Sequence, residues 1–113
     1  MTRIQTLPQL ENADDTQVSA YLDEHPELVA VLNEAVGELS KDFPEERFRL
    51  DVENDMEDEE GTPYLVCTIL THRSPDQGEE ALNRFNRRWW RKVQAKEAEM
   101  RNELMFGVGY VGL

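Results

Sequence analysis

Tyr-Leu-Val-Cys-Thr-Ile-Leu-Thr, residues 64–71, is the most informative stretch of the sequence. It is rich in β-branched and apolar residues on both faces, which is typical of a strand in the middle of a sheet. The earlier stretch, residues 47–53, alternates between charged side chains and Phe48, Leu50 and Val52, as a half-exposed strand does. The acidic segment between them is long enough for an irregular hairpin, so we expect the two strands to pair antiparallel.

Helical patterns surround these strands. A short helix is predicted after the capping residues Asp14, Asp15 and Thr16, and it ends before His25-Pro26. A second helix is predicted from about Pro26 to Lys41, because its apolar residues recur every three or four positions. The third begins at Ser74-Pro75-Asp76-Gln77, which has the form of a capping box, and is expected to run to about Glu103.

The pattern predicts an α+β fold of two layers, with helices packed on a small antiparallel sheet in the order α-α-β-β-α. A chain of 113 residues, 39% of them hydrophobic, is the usual size for one domain, so residues 1–113 are expected to form a single unit. Residues 1–13 show no period and are expected to be a loose N-terminal arm. The Gly-rich apolar tail, residues 105–113, is expected either to add an edge strand or to fill a groove.

The charge balance limits the classes of partner. Twelve Lys and Arg against 24 Asp and Glu give a formal net charge of -12, which repels phosphate backbones and anionic membranes, so nucleic acid is an unfavourable partner and no membrane is expected. There is no apolar run of signal-peptide or membrane-spanning type. The single cysteine, Cys67, excludes an internal disulfide. A cytoplasmic location is therefore expected.

Three patterns resemble chemical sites, but each fails a requirement. Gly107, Gly109 and Gly112 spell G-x-G-x-x-G, yet no helix follows to receive a pyrophosphate. The acidic run that begins at Asp51 has Met56 where a calcium loop needs glycine for its sharp turn. His25, His72 and Cys67 stand in no recognisable catalytic or metal-binding spacing. We therefore predict no cofactor, no metal and no catalytic residue, and a protein that is not an enzyme.

The most unusual feature is a basic run between residues 84 and 96, which carries six positive residues and no acidic one. One interpretation is a solvated helix face whose arginines pair with the protein's own surplus of carboxylates. The other is a face that recognises anions, with exposed edges of Trp89 or Trp90 as anchors. Adjacent residues on a helix point about 100° apart, so the two tryptophans are not expected to face the same core, and one is expected at the rim or under another element. The predicted partner-binding residues are Arg84, Arg87, Arg88, Trp90, Arg91 and Lys92.

A resemblance adds to this interpretation. The chain has His25-Pro26-Glu27-Leu28 before a helix, then two strands, Ser74-Pro75, and finally Phe85 and Trp89-Trp90. Over roughly residues 18–90 it resembles a group of small bacterial α+β proteins of unknown activity, some of which are encoded beside PIN-domain ribonucleases. The resemblance implies an antitoxin-like partner role and brings no catalytic residue with it.

The sequence thus favours a protein-binding regulatory or antitoxin-like partner, for which an acidic nuclease site would be a suitable target. The alternative is a binder of nucleic acid or of a phosphate ligand through the basic helix face 84–96. A homodimer is a further hypothesis, based on the doubly apolar strand at residues 64–71 and on the apolar tail.

Overall fold

A computed structural model of the chain describes residues 10–12, 15–44, 46–54, 57, 59–96 and 103–111. Its elements in chain order are β1 (Leu10–Asn12), α1 (Asp15–Glu24), α2 (Glu27–Asp42), β2 (Arg47–Asn54), β3 (Pro63–Thr71), α3 (Pro75–Phe85), a π-helical turn (Asn86–Trp90), α4 (Arg91–Lys96) and β4 (Leu104–Tyr110). The α+β class is confirmed, as are the three predicted helix starts and the two predicted strands. The prediction that the third helix continues to Glu103 falls largely on residues 97–102, which lie outside the described part.

The four strands form one sheet in the order β1-β2-β3-β4. β2 and β3 pair antiparallel with Leu50 opposite Cys67, which confirms the predicted hairpin. β3 is paired on both edges, which confirms the predicted central strand. Along it, Leu65, Cys67, Ile69 and Thr71 are buried, while the residues between them are only half-buried.

The expectation of a purely antiparallel sheet is corrected, because both outer strands pair in parallel. β1 runs parallel to β2, and β4 runs parallel to β3 with Ile69 opposite Val108. In each case helices lie between the two strands in the sequence, and such a crossover returns the chain to the end of the sheet where the first strand began. The sheet is therefore mixed.

The first and the last strand of the described part form the outer strands of this sheet. Residues 10–12, which were expected to belong to a loose arm, form β1 instead, whereas residues 1–9 and 13 lie outside the described part. The tail forms β4 and confirms the edge strand, which was one of its two predicted roles. β1 and β4 occupy the two edges of the sheet.

The helices cover one face of the sheet and share a single hydrophobic core with it. α2 contributes a buried stripe from Leu28 to Leu39, and Phe48 of β2 and Phe85 of α3 are fully buried against it. Since burial of a large apolar side chain contributes about 1.5–3 kcal/mol, this cluster is the main source of stability. In the described part of the chain no helix is long and apolar enough to cross a membrane.

Candidate partner-binding surface

The helix that carries the basic run begins at a complete capping box. The Gln77 backbone N–H donates to Ser74 Oγ at 3.3 Å, and the Ser74 N–H donates to Gln77 Oε1 at 3.4 Å. Pro75 occupies the first turn, where its missing N–H costs no hydrogen bond. This start, predicted from the sequence, fixes which residues of the helix face the core and which face away from it.

The helix widens into a π-helical turn at Asn86–Trp90, and this turn changes the predicted positions of the two tryptophans. The Arg91 N–H donates to the Asn86 carbonyl, five residues back, instead of four. Both indoles are buried, with Trp89 9% and Trp90 6% exposed. The argument that the two could not share one core is wrong here, because it assumed regular α-helical spacing.

Each indole has its own neighbours. Trp89 Nε1 donates to Glu34 Oε1 at 3.0 Å, and its ring packs against Phe85. Trp90 meets Phe106 of β4 edge to face, with ring centroids 4.8 Å apart. Neither tryptophan offers the exposed edge that was predicted as an anchor, so Trp90 acts as a core residue that supports the surface beneath the basic run.

Two of the predicted arginines are held by carboxylates of the protein itself. Arg88 Nη2 lies 2.7 Å from Asp42 Oδ2, and Arg88 Nε lies 3.3 Å from Glu38 Oε1. Arg88 also donates to the Glu38 backbone carbonyl at 2.9 Å. Arg84 Nε lies 3.4 Å from Asp42 Oδ1, and its Nη1 lies 3.2 Å from Glu80 Oε1. For these two side chains, pairing with the protein's own acids is confirmed.

These contacts shift the acid–base equilibria in the directions that ion pairing requires. A hydrogen bond from Lys41, and then one from Arg88, lowers the pKa of Glu38. The hydrogen bond to Asp42 is the main cause that raises the pKa of Arg88. Both groups therefore stay charged at neutral pH, and the pairs join α2 to the helix that carries the basic run.

The remaining cations of the run point outward. Arg87, Arg91 and Lys92 are exposed, and so is Lys96 at the end of α4. None of the four forms an ion pair with a residue that the structure describes. The cluster of Arg87, Arg91 and Lys92 is called the free basic cluster below.

A groove of about 290 Å³ lies beside the free basic cluster. Asn86, Trp90, Arg91 and Gln94 line it from the helical side, and β4 lines it with residues 104–106. Met105 is half exposed there, at 50%. Sequence reasoning missed this groove, because it depends on β4 lying next to the π-helical turn.

The other candidate residues do not come together. His25 stacks on Tyr21 at the end of α1, with Nδ1 2.9 Å from the Tyr21 carbonyl oxygen, whereas His72 is exposed just after β3. Cys67 is fully buried in β3, and burial raises the pKa of its thiol to about 12, so the thiolate needed of a nucleophile is scarce at neutral pH. Within the described ranges, no group of three His, Cys, Asp or Glu side chains is placed to hold a metal ion.

A comparison with protein-family models, with curated proteins and with solved structures found no match. The class of the protein is therefore defined by its own fold, a two-layer α+β domain with a mixed sheet. What the surface does has to be argued from its charges and contacts.

Proposed function

We propose that the protein is a regulatory binding partner that uses the free basic cluster to engage an acidic surface of another protein, in the manner of an antitoxin. The observation that carries this proposal is the division of the basic run. Arg84 and Arg88 are held by internal carboxylates, while Arg87, Arg91 and Lys92 are exposed without an ion pair to any described residue. A chain of net charge -12 has many carboxylates, yet these three cations are left for an external anion.

The geometry of the cluster supports a protein partner. Arg87 and Arg91 can each form bidentate bonds with a carboxylate, which gives orientation as well as affinity. Their backbone positions are held by a helix whose inner face is packed with Phe85, Trp89 and Trp90. A rigid element loses little conformational entropy on binding, so less of the binding free energy is spent on ordering it. An acidic nuclease site is a suitable target. The proposal also places this protein in the cytoplasm.

The alternative of nucleic acid or a phosphate ligand has less support. Proteins that bind single strands stack bases on exposed aromatic rings, but the two tryptophans of the basic run are buried. The net charge of -12 also opposes the approach of a polyanion. Binding through this surface to nucleic acid would show an affinity that falls steeply with salt.

The test is capture from a nuclease-treated lysate of the native host, with the amount of each co-purified protein measured by mass spectrometry. The variant carries Arg87→Ala, Arg91→Ala and Lys92→Ala. A matched control carries Lys41→Ala, Arg47→Ala and Arg49→Ala, which removes the same charge from α2 and β2, outside the basic run. We expect one protein to be captured stoichiometrically by the wild type and by the control, and to be lost with the cluster variant.

Retention of that protein by a folded cluster variant would contradict the assignment of these residues. Capture of nucleic acid in an untreated lysate, with no stoichiometric protein in a treated one, would contradict the proposed function and support the alternative. Circular dichroism and urea unfolding of each variant establish that it is folded.

A further inference from the structure

β4 forms the edge of the sheet, and its outer backbone groups have no strand to pair with in the described part of the chain. The Val111 N–H donates to the Thr71 carbonyl at 2.9 Å, so residue 111 directs its backbone groups toward β3. Since these groups alternate in direction along a strand, Phe106, Val108 and Tyr110 direct theirs away from β3. The outer edge is thus a row of backbone donors and acceptors.

This edge lacks the features by which proteins usually prevent edge pairing. Residues 104–110, Leu-Met-Phe-Gly-Val-Gly-Tyr, contain no proline and no charged side chain. The strand is seven residues long, and Gly107 leaves open space where a side chain would stand. In a chain of net charge -12, β4 is an uncharged surface on which two copies can meet without direct repulsion.

We propose that the outer edge of β4 binds β4 of a second copy of this chain, antiparallel and about a twofold axis at Gly107. The two sheets then form one continuous sheet with the helices of both copies on the same side. A twofold axis requires antiparallel pairing of identical strands, so the interface is self-complementary. A dimer was expected from two segments, and this proposal uses the apolar tail, because β3 is already paired on both edges.

The bulk of the side chains favours this register. With Gly107 opposite its own copy, the half-exposed Met105 lies opposite Gly109 of the second copy, so the large side chain meets a residue that has none. Thr68 and Leu70 of the second copy flank that glycine and offer Met105 an apolar contact. Phe106 lies opposite Val108 of the second copy, on the face that carries the helices. The Val108 side chain of the second copy then comes to the mouth of the groove that Trp90 and Phe106 line.

The backbone directions agree with the same register. Phe106 and Val108 both direct their N–H and C=O groups outward, so they form a hydrogen-bonded pair across the axis. Gly107 then forms a non-hydrogen-bonded pair with its own copy, in which the two Cα atoms approach to about 4.5 Å. No group on this edge is left facing the second copy without a counterpart.

The first test is the mass in solution, measured by light scattering at micromolar concentration. We expect twice the 13.1 kDa of one chain. Gly107→Lys places two positive charges opposite each other at the axis, where like charges destabilise a strand pair, and the mass is expected to fall to that of one chain. The control Ala20→Lys adds the same charge on the exposed side of α1 and is expected to leave the dimer intact.

The second test is a disulfide across the axis. Two cysteines at position 107 have Cα atoms within disulfide range, so Gly107→Cys is expected to cross-link rapidly when oxidised glutathione accepts the two electrons and two protons. In Met105→Cys the two thiols lie about 13 Å apart along the strands and are expected to remain reduced. The native Cys67 is buried and does not interfere.

A monomeric mass for the wild type overturns the proposal. A dimeric mass with no cross-link at position 107, or with equally fast cross-linking at position 105, shows that the two copies do not pair through β4 in the proposed register. Arg91 lines the groove that the second copy covers, so the cluster variant is also examined by light scattering. Loss of partner capture by a variant that still has the dimeric mass separates the role of the free basic cluster from that of the β4 edge.

Discussion

Arg88 and Asp42 form the shortest ion pair between helices among the described residues, with Nη2 2.7 Å from Oδ2 and the Asp42 side chain only 7% exposed. The pair joins the end of α2 to the π-helical turn, and Glu38 accepts further hydrogen bonds from the same guanidinium. A predicted binding residue is therefore a structural residue. The basic run therefore has two parts. Arg84 and Arg88 pair with carboxylates of the protein itself, whereas the free basic cluster is exposed.

Arg88→Ala is expected to lower the free energy of unfolding by about 2 kcal/mol. It leaves the buried Asp42 carboxylate without its strongest partner, and the loss stays below that of a fully buried pair because Arg88 is 36% exposed. Arg87→Ala, one residue away and without an ion pair in the described structure, is expected to change the value by less than about 0.5 kcal/mol. Urea titrations of both variants measure the difference, and equal values would contradict the division of the run.

The two helical glycines are expected to respond to alanine in opposite directions. A Cβ at Gly37 meets nothing within 4 Å, so Gly37→Ala is expected to stabilise the protein by about 0.5–1 kcal/mol through helix propensity. A Cβ at Gly78 would lie 2.8 Å from Tyr110 Cε1, so Gly78→Ala is expected to destabilise it by about 1–3 kcal/mol.

Thermal and urea unfolding measure both changes. Adding Tyr110→Ala to Gly78→Ala tests the cause, because the alanine then has space and the two substitutions should be less than additive. Strict additivity would show that Tyr110 is not the obstacle.

Tyr21 is expected to make the fold sensitive to alkali. Burial is the main cause that raises its pKa to about 12, and its hydroxyl donates to the Glu103 carbonyl at 3.2 Å. Because the folded pKa is higher than the unfolded value of about 10, the stabilisation is complete below pH 10 and is lost as the pH rises toward 12. Tyr21→Phe should flatten the fall in unfolding free energy over this range. An unchanged slope would contradict the assignment.

Trp90 is expected to matter for stability and not for partner binding. Trp90→Ala removes a ring that is 6% exposed and packed against Phe106, at a cost of about 3–5 kcal/mol. Trp90→Phe keeps an aromatic ring and should capture the same partner as the wild type. Acrylamide should quench the native fluorescence weakly, whereas quenching equal to that of free tryptophan would show that the indoles are exposed.

Much of the fold could be predicted from local patterns. The alternation at Phe48 and Leu50 indicated a half-exposed strand, and the capping box at Ser74 indicated a helix start. These signals lie within a few residues of each other, so they do not depend on distant parts of the chain. The parallel pairing of β1 with β2 and of β4 with β3 could not be predicted in this way, because it depends on where the helical crossovers return the chain to the sheet.

The basic run shows the same limit at the level of the site. Its six cations were visible in the sequence, but the carboxylates that neutralise Arg84 and Arg88 belong mainly to α2, far away along the chain. The burial of Trp90 depends on the π-helical turn and on the position of β4 beside it, and no local pattern shows either. Sequence reasoning thus located the basic run, and only the packing shows which of its residues are exposed.

The most direct test of the central claim is the affinity of the captured protein for purified wild type, for the cluster variant lacking Arg87, Arg91 and Lys92, and for the matched control lacking Lys41, Arg47 and Arg49. Isothermal titration gives the three dissociation constants. The account predicts that the cluster variant binds at least about tenfold more weakly, a loss of about 1.4 kcal/mol, while the control binds as the wild type does. Equal weakening in both variants would show a general effect of charge, and unchanged binding by the cluster variant would contradict the role proposed for these residues.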